Sequence, residues 1–297
     1  MIFKRLPCSG LRKYLLLSLL LFQLAPKAIW ASELPVLAEP AKRIVALAPH
    51  LVEVIYEVGA GDRLVAAVDY SNYPEAAKVL PRVGGYTGVS VEAVVRLNPD
   101  LILAWKSGNS EKHLKQLEAL GFQVYYSEPK KLEDIATLME DVSRLTASKA
   151  GAVKVAKFRE ELAQLKRLYK SQDKVSVFYQ VWNQPLQSLN GQSIVSDVID
   201  LCGGRNVFHN AKSIAPKLSV ETVLRKNPDV IVASGMGEER PEWLDEWKQW
   251  PSLSAVKNNH LFFVPPDLIQ RHSPRLLEGA SILCEQLSFV RQQKAKK

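Results

Sequence analysis

The chain has 297 residues, 47% hydrophobic and 24% charged, a globular composition with room for two cores rather than a disordered or fibrous one. Its formal charge of +8 is inflated at one end: the first 31 residues hold five Lys/Arg and no Asp/Glu, so without them it falls by five to +3. A surplus that small argues against nucleic acid as a partner.

Residues 1–31 read as a signal peptide. Lys4, Arg5, Arg12 and Lys13 precede the leucine-rich run Leu15–Leu24, and Ala28-Ile29-Trp30-Ala31 offers small residues at the cut. The run is short for a bilayer span, with a membrane anchor as the alternative. Cys8 lies before the apolar run, where lipidation does not occur. Cys202 and Cys284 remain in the exported chain. An even pair there reads as a disulfide, worth about 4 kcal/mol on chain-entropy grounds; a metal pair or two buried thiols are the alternatives.

From Arg43 onward, short apolar strands alternate with helices. Strands are expected at Arg43–Ala48, Leu64–Val68, Leu101–Trp105 and Gln123–Tyr126. Helices are expected from Pro49, at Val91–Leu97, at Ser110–Leu120 and at Leu132–Arg144, with Val52, Ile55, Tyr56 and Val58 facing inward on the first. Ala147–Lys170 then runs past Gly151 without glycine or proline. Val155, Phe158, Leu162, Leu165 and Tyr169 fall on one face of a helix about 30 Å or more in length. It reads as a stiff link between two lobes, or else as a surface helix of one domain. Beyond it come strands at Val175–Val181, Val230–Ser234 and Leu261–Val264, with helices at Ile194–Leu201, Val220–Arg225, Pro241–Gln249 and Pro274–Val290. The fold class is α/β: two similar lobes with mainly parallel sheets, joined by one long helix. The lobes are expected over residues 43–146 and 174–291, with the linking helix over 147–171.

The two halves contain one repeated unit. Val89–Trp105 aligns without gaps with Leu218–Ser234, sharing Ser, Val, Glu, Val, Arg, Asn, Pro, Asp, Ile and Ala in register. Two copies make paired lobes, not a solenoid. Ser90 and Ser219 are positioned to cap helices, which puts Glu92 and Glu221 in first turns, where the helix dipole favours a carboxylate. That alone accounts for them; alternatively, each lobe offers one acid to a partner with two symmetric basic sites.

Catalytic signatures are missing. There is no GxSxG, Walker loop, HExxH or GxGxxG after a strand, and the five histidines never pair at i,i+4. Neither an enzyme nor a protein-built metal site is supported. Aromatics are more informative. Tyr73 and Tyr86 sit in loops, Trp105 and Trp182 end strands, and Trp243, Trp247 and Trp250 cluster in a later helix. Strand ends are where parallel sheets gather ligands, and such rings suit a large flat one, although any single ring could be core. Asp267 and Arg271 follow a strand and are candidates for polar contacts at the cleft, or for a mutual surface salt bridge.

Arg43-Ile44-Val45-Ala46-Leu47-Ala48-Pro49, Tyr73-Pro74, Leu97–Trp105, Leu201-Cys202-Gly203-Gly204 and Arg271-His272-Ser273-Pro274-Arg275 together resemble the cobalamin-binding branch of the single-helix-linked (class III) periplasmic substrate-binding proteins of ABC importers. The similarity spans nearly the whole mature chain. Its Asn98-Pro99-Asp100-Leu101 strand is shared with siderophore- and haem-binding relatives, which are the alternative. The resemblance implies cobalamin carried as a transported ligand, with no cofactor. It implies a cleft holding it through Tyr73, Trp105 and the loop of Asp267, Leu268, Ile269, Gln270 and Arg271, to which the placement of the aromatics adds Tyr86, Trp182 and Trp247 as candidates. It further implies Glu92 and Glu221 docking on a permease dimer with its ATPase subunits, a Cys202–Cys284 disulfide, a periplasmic location and a monomer when free. Three positions depart from the family pattern: Tyr86 stands for a tryptophan, Trp182 has no aromatic counterpart, and His272 replaces a small residue.

Overall fold

Apolar runs of three to six residues build two four-stranded sheets, all of whose strands are parallel. The structure, a computed structural model, describes residues 2, 34–85, 88–235, 237 and 239–296; the expected leader, Ile2 aside, and Tyr86 lie outside the described residues. In the first sheet Leu64–Ala66, Ile44–Ala46, Leu101–Trp105 and Val124–Ser127 lie side by side in that order. In the second the order is Gly204–Asn206, Val175–Gln180, Val230–Ala233 and Leu261–Phe263. Counted along the chain within each lobe, both sheets run second, first, third, fourth, so the repeat extends to topology. Gly204–Asn206 is an addition to the expected elements: its Gly-Arg-Asn carries no apolar run to announce it.

The repeated unit has a physical cause. Asn98 and Asn227 end their helices in the left-handed region, at φ 44° and 43°, a conformation asparagine tolerates better than most residues. Two residues later the aspartate reaches the neighbouring strand. Asp100 accepts from the backbone N–H of Lys42 and Arg43, and Asp229 from that of Ser176. Each Asn-Pro-Asp thus stops a helix and pins the third strand to the start of the first.

Strand alternation divides the core. Ile44, Leu101, Leu103, Val175, Val177, Tyr179, Val230 and Val232 face one cluster. Val45, Ile102 and Ala104 face a second, and Phe178, Ile231 and Ala233 a third. The first cluster is continuous through both lobes, because Val155, Phe158 and Leu162 of the linking helix, Gly151–Tyr169, join it. The helix Leu132–Thr146 packs along that helix, and the C-terminal helix Leu276–Ala295 also touches it. The residues from Leu34 onward form one compact unit. Lobes that share an apolar core cannot separate without exposing it, which restricts hinge motion.

Cys202 and Cys284 are joined, closing a separation of 82 residues between the helix Ile194–Leu201 and the C-terminal helix. The helix Pro49–Glu57 departs from expectation: His50, Leu51, Val52, Glu53, Val54 and Ile55 are all buried, so it is not amphipathic. Glu242–Gln249 is a 3-10 helix rather than an α-helix.

Candidate functional site

The carboxyl ends of Leu101–Trp105, Val124–Ser127 and Val175–Gln180, with the strand Gly204–Asn206, border a cleft of about 1100 Å³, lined from the first lobe by Trp105, Ser107 and Glu128 and from the second by Val181, Leu189, Gln192, Asn206, His209 and Gln270, with His272. A cavity at the top of the usual range for small-molecule sites suits a bulky ligand. Its charged rim is mixed: Lys130, Lys131, Lys174 and Arg205 alternate with Glu128, Asp197 and Asp200. Among the described residues no group of three or more His, Cys, Asp or Glu could hold a metal ion.

Trp105 reaches the cleft by strand parity. Leu101 and Leu103 face the shared core, and Trp105 continues on that side where the strand ends. Its backbone N–H donates to Asn109 Oδ1 at 2.7 Å, and Asn109 Nδ2 donates to Leu47 O at 2.8 Å. A Cβ at Gly108 would lie 1.9 Å from the indole, so only glycine lets the ring lie there. Trp105, Gly108 and Asn109 therefore act as one unit.

Sequence reasoning singled out His272 but missed His50 and the contact of both rings with the indole. His50, in the first turn of Pro49–Glu57, and His272 each sit 5.5 Å from the Trp105 ring, edge-on, and 5.7 Å from one another. Burial drives the His50 imidazole down to about 3, with His272 and Arg271 adding to the effect. Burial also lowers His272, against a smaller opposing pull from Glu128. Both rings are neutral at neutral pH. An unfolded histidine titrates near 6.5, so between that value and about 3 the unfolded chain binds a proton that native His50 does not. The His50 contribution to stability is complete above the upper value and declines as pH falls through the window. In thermal melts between about pH 7 and pH 4, His50→Leu should flatten this part of the acid slope; an unaltered slope would contradict the assignment.

A second group ties the lobes together. Glu53, whose side chain is 1% exposed, accepts from Arg271 Nη1 at 2.8 Å and from Ser273 Oγ at 2.6 Å, with Arg275 at 3.6 Å. Arg271 also donates to Asn72 Oδ1 and Tyr70 O and pairs with Asp267 at 2.8 Å, while Asn72 Nδ2 donates to Asp267. Burial pushes the Glu53 carboxyl up, opposed by its Ser273 and Arg271 hydrogen bonds. The Asp267–Arg271 pair exists, but it belongs to a largely buried inter-lobe latch rather than the surface. At the far side of the cleft, Leu132 N–H at the start of its helix donates to Asp197 of the second lobe at 2.9 Å.

The remaining expected residues divide. Gln270 and Trp105 line the cleft. Trp182 is 37% exposed next to Val181, its indole N–H already donated to Gln184 O at 2.9 Å. Leu268 is half-buried. Three assignments are corrected. Trp247 is 3% exposed, packs edge-on against Phe178 and donates to Gln180 Oε1, so it has no face left for a ligand. Ile269 is fully buried in the shared core. Tyr73 opens instead on a separate depression of about 390 Å³ beside the linking helix, with the Arg275 guanidinium 3.9 Å above its ring. Glu92 and Glu221 are exposed in first turns capped by Ser90 and Ser219, whose hydroxyls accept from Ala93 and Thr222 N–H. The Glu221 backbone N–H, and after it the Ser219 hydroxyl, hold the Glu221 carboxyl below the usual carboxylate range.

Residues 44–268 match the family described as "Periplasmic binding protein". A protein of Vibrio campbellii named "Vitamin B12-binding protein" is 38% identical over 86% of this chain and 92% of its own length. The crystal structure of the periplasmic vitamin B12 binding protein BtuF of Vibrio cholerae superposes with a TM-score of 0.79 at 36% identity, covering 85% of this chain and 98% of that one. The periplasmic heme-binding protein RhuT of Roseiflexus superposes with a TM-score of 0.75, at 22% identity over 84% of this chain and 99% of that one.

Proposed function

The chain belongs to the periplasmic binding protein family, and from that premise we propose that it receives vitamin B12 in the inter-lobe cleft and delivers it to an ABC importer. The family is one of transport receptors, and the protein is not an enzyme. The observation that carries the choice of ligand is the 38% identity to a protein named for vitamin B12 along most of both chains, since the heme-named structure at 22% speaks only for the fold. A cleft of about 1100 Å³ with an indole at a strand end agrees with a large macrocycle. Its mixed rim does not single out an anionic siderophore.

In this reading Trp105 and Trp182 cover the corrin, and Leu268 and Gln270 border it. Asp267 and Arg271, held by Glu53 and Asn72, face its side-chain amides. The working halves are residues 43–146 and 174–291, carried by the link at 147–171. The leader at 1–31 directs export to the periplasm, and the protein works as a monomer until it docks. Glu92 and Glu221, equivalent acids on equivalent helices, engage the two subunits of a permease dimer bearing ATPase subunits. Trp105→Ala should weaken cyanocobalamin binding by at least about 1 kcal/mol, roughly fivefold in Kd, on the scale of an aromatic anchor. Calorimetry giving equal affinity for both proteins would remove Trp105 from the site.

A further inference from the structure

The three rings at the cleft floor leave one feature that burial of a corrin does not use. His272 lines the cleft together with Trp105. Its ring is propped by Trp105 at 5.5 Å and by His50 at 5.7 Å. His272 Nδ1 is buried and has no hydrogen-bond partner among the described residues, and the same holds for His50 Nε2 and Trp105 Nε1. With Nδ1 turned inward, Nε2 is the nitrogen that can meet a ligand in the cleft. Burial keeps this imidazole neutral, and in its Nδ1–H tautomer Nε2 carries the lone pair. His50 is 4% exposed and serves as a prop, not as a contact.

A neutral imidazole fixed in orientation by packing is a preorganised metal ligand. Vitamin B12 brings a metal into the cleft, a cobalt ion with two axial positions. When one of these holds water, it can be exchanged: the Nε2 lone pair forms a Co–N bond and the water leaves with its own electron pair. No proton is lost and cobalt keeps its oxidation state. We propose that His272 Nε2 is an axial ligand to the cobalt of the bound corrinoid, so that the receptor favours forms with an exchangeable axial position over forms in which that position is blocked. The proposal rests on the corrinoid reading of the cleft and adds to it the identity of the preferred form.

Absorption spectroscopy tests it directly. Aquocobalamin bound to the protein should show the band shift that free imidazole produces on aquocobalamin in solution. Cyanocobalamin, whose cyanide occupies the position, should bind with its spectrum unchanged. His272→Ala should abolish the shift and weaken aquocobalamin binding by about tenfold or more, the scale on which disturbing a metal ligand's surroundings acts. Cyanocobalamin affinity should change far less. His272→Gln keeps a polar side chain and should also lose the shift, so that one poorly folded variant does not decide the matter. A bound aquocobalamin spectrum identical to the free one, or a shift that survives both substitutions, would overturn the proposal. Failure of both corrinoids to bind would overturn it together with the corrinoid reading.

Discussion

Glu53→Ala is expected to cost about 3–5 kcal/mol of stability, the range for removing one partner of a buried ion pair. The substitution leaves Arg271, whose side chain is only 13% exposed, without its inter-lobe anion and strips Ser273 of its acceptor. The loss should appear as a lower urea midpoint at neutral pH. Glu53→Gln, which keeps the shape and one carbonyl acceptor, should recover part of it. Because the latch holds Asp267 and Arg271 against Asn72 and Tyr70, ligand affinity should fall as well. A loss below about 1 kcal/mol, typical of exposed pairs, would mean that the Glu53 pair adds little to what otherwise holds the lobes together.

Substituting both Glu92 and Glu221 by alanine should abolish uptake while leaving cyanocobalamin affinity at its wild-type value. The two carboxylates stand on helices that repeat in sequence, capping and topology. Neither residue lines the cleft. Each single variant should retain part of the activity, since one acid still engages its subunit. Uptake of labelled vitamin by cells carrying the cognate permease measures this. Wild-type uptake by the double variant would reduce both residues to helix-dipole partners, worth a few tenths to about 1 kcal/mol each.

Much of this architecture is legible in the sequence. Ser90 and Ser219 as caps, the Asn-Pro stops and the short apolar strands are local signals, and they located the helix and strand of each repeated unit to within one residue at each end. Gly204–Asn206 escaped because it pairs through its backbone alone. The helix Pro49–Glu57 was read with Val52, Ile55, Tyr56 and Val58 inward, but Glu53 is buried as well, against a partner, Arg271, that lies 218 residues away. No window of sequence contains that pairing, although a glutamate inside Leu51-Val52-Glu53-Val54-Ile55 is a mark of it. Trp105 was found from its place at a strand end. Trp247 was misjudged because a tryptophan on a short helix looks the same whether its indole meets a ligand or, as here, Gln180. His50 and His272 were likewise invisible as a pair, since only the fold brings one lobe's first helix against the other lobe's last loop.

What fills the space between the lobes decides the function. Titrating the mature protein by calorimetry with cyanocobalamin, haemin and a ferric siderophore under identical conditions tests this most directly. Saturable binding of cyanocobalamin at one site per chain, with much weaker heats from the other two, is the predicted result. Tight binding of haemin or the siderophore with no response to cyanocobalamin would contradict it.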